Sequence, residues 1–249
     1  MEVDPPMRRS SLLVPILGLL AATPAGAALI HAQGFNSAVG LTYTVTGGGS
    51  TGGGANYWAR ASTVDPTGFT GQEGADFWAG ADLDDVPGAV HAIQLNDLSL
   101  AGYTGVTVSI WLAATTGQWD PLSPPAQPDV VRIIAINAVS GVQTVLDTFT
   151  APAANTNLVS AANGQSLNTA FANFTYNVPV SIGTLRFRFE ANSSGDAEWV
   201  GFDNVRIEGT PVPEPASAAL VALGIALLAG VRRASLRQAA RRGDTITLP

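Results

Sequence analysis

The chain has 249 residues with nineteen acids, twelve basic residues that are all arginine, a formal net charge of −7 at pH 7 and no cysteine. The missing cysteine excludes disulfides and thiol catalysis, and the missing lysine excludes a Walker A phosphate loop. So acidic a chain repels phosphate backbones, and no nucleic-acid partner is expected.

Met7-Arg8-Arg9 forms a positive start, Leu12 to Ala22 is apolar, and Ala25-Gly26-Ala27 fits a small-x-small cleavage pattern. Residues 1–27 therefore read as a secretory signal peptide, cleaved after Ala27 or Ala28. The body, residues 28–209, is one domain's length and can bury a sizeable core. It keeps five arginines and fifteen acids, a formal −10. That excess is compatible with divalent cations and neutral glycans, or serves solubility alone.

Along the body, Val106, Val108, Ile110 and Leu112 alternate with Thr107, Ser109 and Trp111, and Leu185, Phe187 and Phe189 alternate with Arg186, Arg188 and Glu190. A period of two is the mark of half-buried antiparallel strands. Further strands are expected at residues 41–46, 75–80, 90–95, 130–137, 142–149, 171–178 and 199–207. Nine short strands without a helix predict an all-β, two-sheet antiparallel β-sandwich. Residues 151–168 read as a loop, although structureless loops of that length are uncommon. In the last strand Val200 and Phe202 point one way, and Val205 and Ile207 resume that face one residue late. The slip predicts a β-bulge at Asp203-Asn204, either as a fold-closing kink or as a device that aims a group at a ligand. Asn56-Tyr57-Trp58-Ala59 is echoed by Asp76-Phe77-Trp78-Ala79, but two short matches make no repeat architecture.

Asp97 to Thr104, Trp119-Asp120, Asp129 to Arg132 and Glu198 to Val205 follow one another in an order that resembles galactose-binding-like jelly-roll domains. The resemblance spans residues 75–208. It implies a two-sheet jelly roll, often with a structural Ca²⁺ and sometimes with a sugar-binding face, without by itself implying carbohydrate binding.

Asp82, Asp84 and Asp85 cluster before Pro87-Gly88, with Glu73 and Asp76 upstream. Carboxylates and loop carbonyls are the hard oxygens that Ca²⁺ takes, so these aspartates together with Asp203 are candidate calcium ligands. The alternative is a solvated acidic turn. Of five tryptophans, Trp111 stands on the polar face of its strand and Trp119 lies beside Asp120-Pro121. Exposed indoles stack on sugar rings, which makes both candidate carbohydrate contacts; the alternative is that both belong to the core or its lid. Only His31, in an expected frayed terminus, and His91, opening a strand, could serve a triad, and neither stands near a serine in an elbow context. Gly47-x-Gly49-x-x-Gly52 has no helix after it and reads as a loop, not a dinucleotide site.

At the far end, Pro213-Glu214-Pro215 precedes sixteen uncharged residues, Ala216 to Val231, closed by Arg232-Arg233. A helix of that length rises about 24 Å, slightly short of the hydrocarbon core, with arginines to hold its cytoplasmic end. Pro213, Glu214, Pro215, Arg232 and Arg233 together resemble the PEP-CTERM sorting signal. The resemblance implies an exosortase-type processing enzyme as partner, transient membrane anchoring through the C-terminal helix, and delivery to the cell surface or matrix. Residues 210–233 form this segment and residues 234–249 a basic cytoplasmic tail, longer than the family usually carries. The expectation is a non-enzymatic exported surface or matrix protein that contacts exopolysaccharide. The rival is an extracellular polysaccharide hydrolase with a carboxylate pair; a purely structural matrix component is the third reading.

Overall fold

The computed structural model describes residues 26–36, 43–47, 57–62, 68–83, 90–121, 129–212, 220 and 223–228. Residues 1–25 of the expected signal peptide, Asp84, Asp85, Pro213, Glu214, Pro215, Arg232 and Arg233 lie outside them. Residues 223–228 are helical, and among the described residues no helix is long and apolar enough to cross a membrane.

The strands, in chain order, are β1 (Ala28–Gln33), β2 (Tyr43–Thr46), β3 (Tyr57–Ser62), β4 (Asp76–Ala81), β5 (His91–Leu95), β6 (Leu98–Ser99) and β7 (Tyr103–Ala114). They continue as β8 (Val130–Asn137), β9 (Gln143–Thr150), β10 (Val159–Ser160), β11 (Ala172–Asn177), β12 (Thr184–Asn192) and β13 (Val200–Pro211). One sheet runs β11-β7-β13-β4-β3, with β1 also on β13. The other runs β10-β9-β8-β12-β5-β2, with β6 also on β12. All of these pairings are antiparallel, and the two sheets form the expected sandwich.

The alternations on β7 and β12 place their apolar sets inside. Val108, Ile110 and Leu112 meet Leu185, Phe187 and Phe189 in one core that also holds Phe35, Trp58, Trp119, Phe149 and Phe202. Fully burying one such side chain contributes about 1.5–3 kcal/mol. The bulge falls where the phase slip predicts it: the β13–β7 register shifts between Asp203 and Arg206, and Asn204 takes φ 46°, the left-handed region that Asn enters most readily after Gly.

Two expectations change. His31 is not in a frayed end: it sits in β1, which pairs with the end of β13 and places His31 opposite Ile207. The loop 151–168 is pinned: β10 adds to β9, and isolated bridges join Trp119 to Thr156 and Val159 to Ser166. The echoed Tyr-Trp-Ala and Phe-Trp-Ala segments are the edge strand β3 and its neighbour β4, with Ala59 opposite Ala79.

Candidate functional site

The outer face of the first sheet is divided in two. Over β3, β4 and the start of β13 it is closed by a second apolar cluster of Tyr57, Ala59, Phe69, Phe77, Ala79 and Trp199, with Phe171 against it. The segment carrying Phe69 is tied down by Thr70 N–H to Thr169 O and Phe171 N–H to Thr70 O, both 2.9 Å. Its close approach needs glycine below: a Cβ on Gly201 would stand 2.8 Å from the Phe69 ring.

Over β11, β7 and the rest of β13 the same face is open and polar. Cross-strand register builds it row by row. Asn173 pairs with Trp111, and Thr175 with Ser109. On the other side of β7, Arg206 pairs with Ser109 and Glu208 with Thr107. These residues, with Glu73 and Asn204, line a groove of about 510 Å³. At strand spacings the floor is about 10 Å wide and about 13 Å long. Arg206 is held at one side, its Nη2 3.1 Å from Glu73 Oε1 and its Nε donating to Asn204 Oδ1 at 2.8 Å. Among the described residues, the side chains of Trp111, Thr107, Ser109, Asn173 and Thr175 make no hydrogen bond. The floor therefore offers one half-buried indole ringed by uncommitted hydroxyl and amide groups. Such a set can stack on an apolar sugar face and exchange hydrogen bonds with its hydroxyls.

Trp119 is elsewhere. It is 0% exposed and its indole N–H donates to Thr115 O at 2.7 Å, so no face of its ring is open to a sugar, and it serves the core.

Of the aspartates singled out for calcium, Asp84 and Asp85 lie outside the described residues, and the other two, Asp82 and Asp203, are not neighbours. Phe202 lies opposite Trp78 and Val200 opposite Gly80, which puts Asp203 level with Phe77, five residues along β4 from Asp82, about 17 Å. Asp203 is 0% exposed. Its Oδ2 accepts Glu73 N–H at 2.8 Å and its Oδ1 accepts Asn204 N–H at 2.7 Å. Burial pushes its carboxyl up to about 6, against the pull of those N–H groups. The bulge thus turns this carboxylate toward the 73–74 backbone.

A different acidic group is assembled instead. Asp120 follows the Trp119 bridge, Asp129 leads into β8 and Glu198 leads into β13. One carboxylate oxygen from each lies within 4.8 Å of the other two. Asp129 is 1% and Glu198 5% exposed. Asp129 Oδ2 accepts Asp120 N–H and Glu198 Oε2 accepts Ser194 N–H, both at 2.7 Å. Burial, and then the charge of Asp129, push Glu198 up to about 7, and burial raises Asp129 as well. All three residues belong to the segments that carry the jelly-roll resemblance, but nothing in their spacing announces that they meet. Asp129 and Glu198 are both enclosed, and Asp120 is the exposed member of the group.

No protein-family model matches the chain, and no curated protein does. Among solved structures it is similar to the K3 cleaved adhesin domain of Lys-gingipain from Porphyromonas gingivalis, with 17% identity over 74% of this chain and 99% of that one and a TM-score of 0.44. It is also similar to the CBM22-1 xylan-binding domain of Paenibacillus barcinonensis Xyn10C, with 10% identity, 77% and 99% coverage and a TM-score of 0.41. A family 29 carbohydrate-binding module complexed with cellulohexaose gives 13% identity, 75% and 93% coverage and a TM-score of 0.39. These likenesses all lie below a TM-score of 0.5, and no ligand is carried over from them.

Proposed function

We propose that this is a non-enzymatic exported protein of the cell surface or matrix that binds a neutral exopolysaccharide in the groove over β11, β7 and β13. One observation carries the reading: Trp111 stands on an open polar sheet face beside Ser109, Asn173 and Thr175, whose hydrogen-bonding groups are uncommitted among the described residues. A half-buried indole on the outer face has no role in the core, which is complete without it. Glu73 and Glu208 outnumber Arg206 in the groove, and the body is acidic, so a neutral chain suits the site better than a polyanion. Export rests on the signal-peptide pattern of residues 1–27. Sorting by an exosortase-type enzyme, after transient anchoring through the C-terminal helix, rests on Pro213-Glu214-Pro215 and Arg232-Arg233.

Affinity electrophoresis of the full-length chain through gels carrying neutral polysaccharides tests the binding. Trp111→Ala is expected to weaken retention at least tenfold, about 1.4 kcal/mol, while moving the melting temperature by no more than a few degrees. Equal retention of the variant sinks the groove reading, and release of reducing ends sinks the non-enzymatic one. Mass spectrometry of the mature C-terminus tests sorting: an uncut chain ending at Pro249 rejects processing at the motif.

A further inference from the structure

Removing carboxylates from water is costly unless opposite charge or several hydrogen-bond donors replace the lost hydration. Among the described residues the Asp120, Asp129 and Glu198 group has neither an opposite charge nor a full set of donors. The donors within hydrogen-bond distance, among the described residues, are the two backbone N–H groups at 2.7 Å and Ser194 Oγ at 3.5 Å from Glu198 Oε2. The Oδ1 atom of Asp129 is buried with no hydrogen-bond partner. Among the described residues no protein cation is at hand either. The chain has no lysine, and each of the five arginines of the body is paired with another acid: Arg60 with Asp76, Arg132 and Arg188 with Glu190, Arg186 with Asp97, Arg206 with Glu73.

We propose that Asp120, Asp129 and Glu198 form a binding site for a calcium-type divalent cation that ties three segments together at the end of the sandwich where β8 and β13 begin. The three carboxylates are the hard oxygens such an ion prefers. Their mutual separations, all within 4.8 Å, fit ligands around an ion that holds oxygen at about 2.3–2.6 Å. The orphaned Asp129 oxygen gains a partner, and the buried negative charge is met by a positive one. The three ligands come from the segment after β7, the residue before β8 and the turn between β12 and β13. The ion would therefore staple a part of the chain that the ladders leave to loop contacts, among them Leu83 N–H to Ser193 O at 2.8 Å and Thr115 N–H to Trp199 O at 2.9 Å. This site is separate from the groove and from Asp82 and Asp203. The competing occupant is a proton shared between Asp129 and Glu198, which would leave the chain indifferent to metals.

The test uses the full-length chain, stripped with chelator and desalted, at pH 7.5. Millimolar Ca²⁺ is expected to raise the melting temperature by about 5 °C or more, as for a ligand well above its dissociation constant. Glu198→Gln and Asp129→Asn are expected to abolish that rise, while Asp203→Asn keeps it. Tb³⁺ serves as a second probe, because Trp119 adjoins Asp120. Tryptophan-sensitised Tb³⁺ emission that Ca²⁺ displaces, and that Glu198→Gln lacks, supports the site even if Asp129→Asn fails to fold. An unchanged melting temperature with Ca²⁺, Mg²⁺ and Mn²⁺ overturns the proposal. So does a calcium response that survives Glu198→Gln and disappears in Asp203→Asn.

Discussion

Two buried carboxylate sites in this sandwich are built in opposite ways. At one lateral edge Asp147 of β9, 3% exposed, accepts four hydrogen bonds: Ser160 Oγ at 2.6 Å, Tyr176 OH at 2.9 Å, Thr148 N–H at 2.7 Å and Ala162 N–H at 3.0 Å. Tyr176 belongs to the other sheet, so the same carboxylate links the two layers. Where β8 and β13 begin, Asp129 and Glu198 are equally enclosed, but among the described residues three carboxyl groups share two short backbone donors. The first site is complete with what the chain provides; the second holds surplus negative charge. Burial alone therefore says little about what an acid does; the donors that surround it decide whether it is a structural joint or a place for a ligand.

The contrast is open to direct attack. Asp147→Asn leaves four donors facing an amide and is expected to destabilise the chain by about 3 kcal/mol in chemical denaturation. The same change at Asp129, in chelator, removes one of several crowded charges and should be neutral or stabilising. If the two substitutions cost alike, the distinction fails.

A second, smaller effect is a pH slope. Glu198 sits at about 7 in the folded chain against an ordinary 4.5, so the folded state holds its proton more tightly than the unfolded one. Its contribution is full below pH 4.5 and is lost as pH rises through 7, and metal-free stability should fall over that window by about 2–3 kcal/mol. Asp203, raised from 3.8 to about 6, acts in the same direction lower down, so the Glu198 share is read most cleanly between pH 6 and 7. Denaturation midpoints across that interval should flatten in Glu198→Gln and in saturating Ca²⁺; a slope that persists in both contradicts the assignment.

The smallest effect is at Tyr176. Its hydroxyl is pushed up by burial and then by the charge of Asp147, and it remains a donor at any ordinary pH. Tyr176→Phe removes one donor from a carboxylate that keeps three, which should cost about 1–2 kcal/mol by thermal melting. No change would mean that the bond between the sheets is idle.

Much of this architecture is legible in the residues, for a physical reason. Strands β7 and β12 have one wet face, so their period of two is plain, and the half-step at Asp203-Asn204 declares its bulge. Strand β3 hides because both its faces are covered: Trp58 points into the main core, while Tyr57, Ala59 and Ala61 lie under the Phe69 cluster, and no alternation survives. Strand β1 hides beside a cleavage pattern that makes its residues look like a loose end. Trp111 stands out because an indole breaks the row of Thr107 and Ser109. Its neighbours Asn173 and Thr175 come from a strand some sixty residues away, and only the β11–β7 register brings them beside it. Trp119 misleads because its sequence surroundings are polar while its ring is walled in. The Asp120, Asp129 and Glu198 group depends entirely on how three connections close, and no local periodicity encodes that.

Strand β1 lays Ala28 opposite Gly209 on β13, so both borders of the body emerge from the same end of the sandwich. On the proposed sorting a C-terminal tether would leave there, and the groove extends away from that end along β13. Should a polymer gripped near Trp111 be pulled against that tether, the load would run lengthwise down β13. Its ladder with β7 on one flank, and with β4 and then β1 on the other, would resist in shear, all rungs at once, instead of peeling rung by rung. Under the proposed function, that arrangement would carry tension between the membrane anchor and the bound polymer.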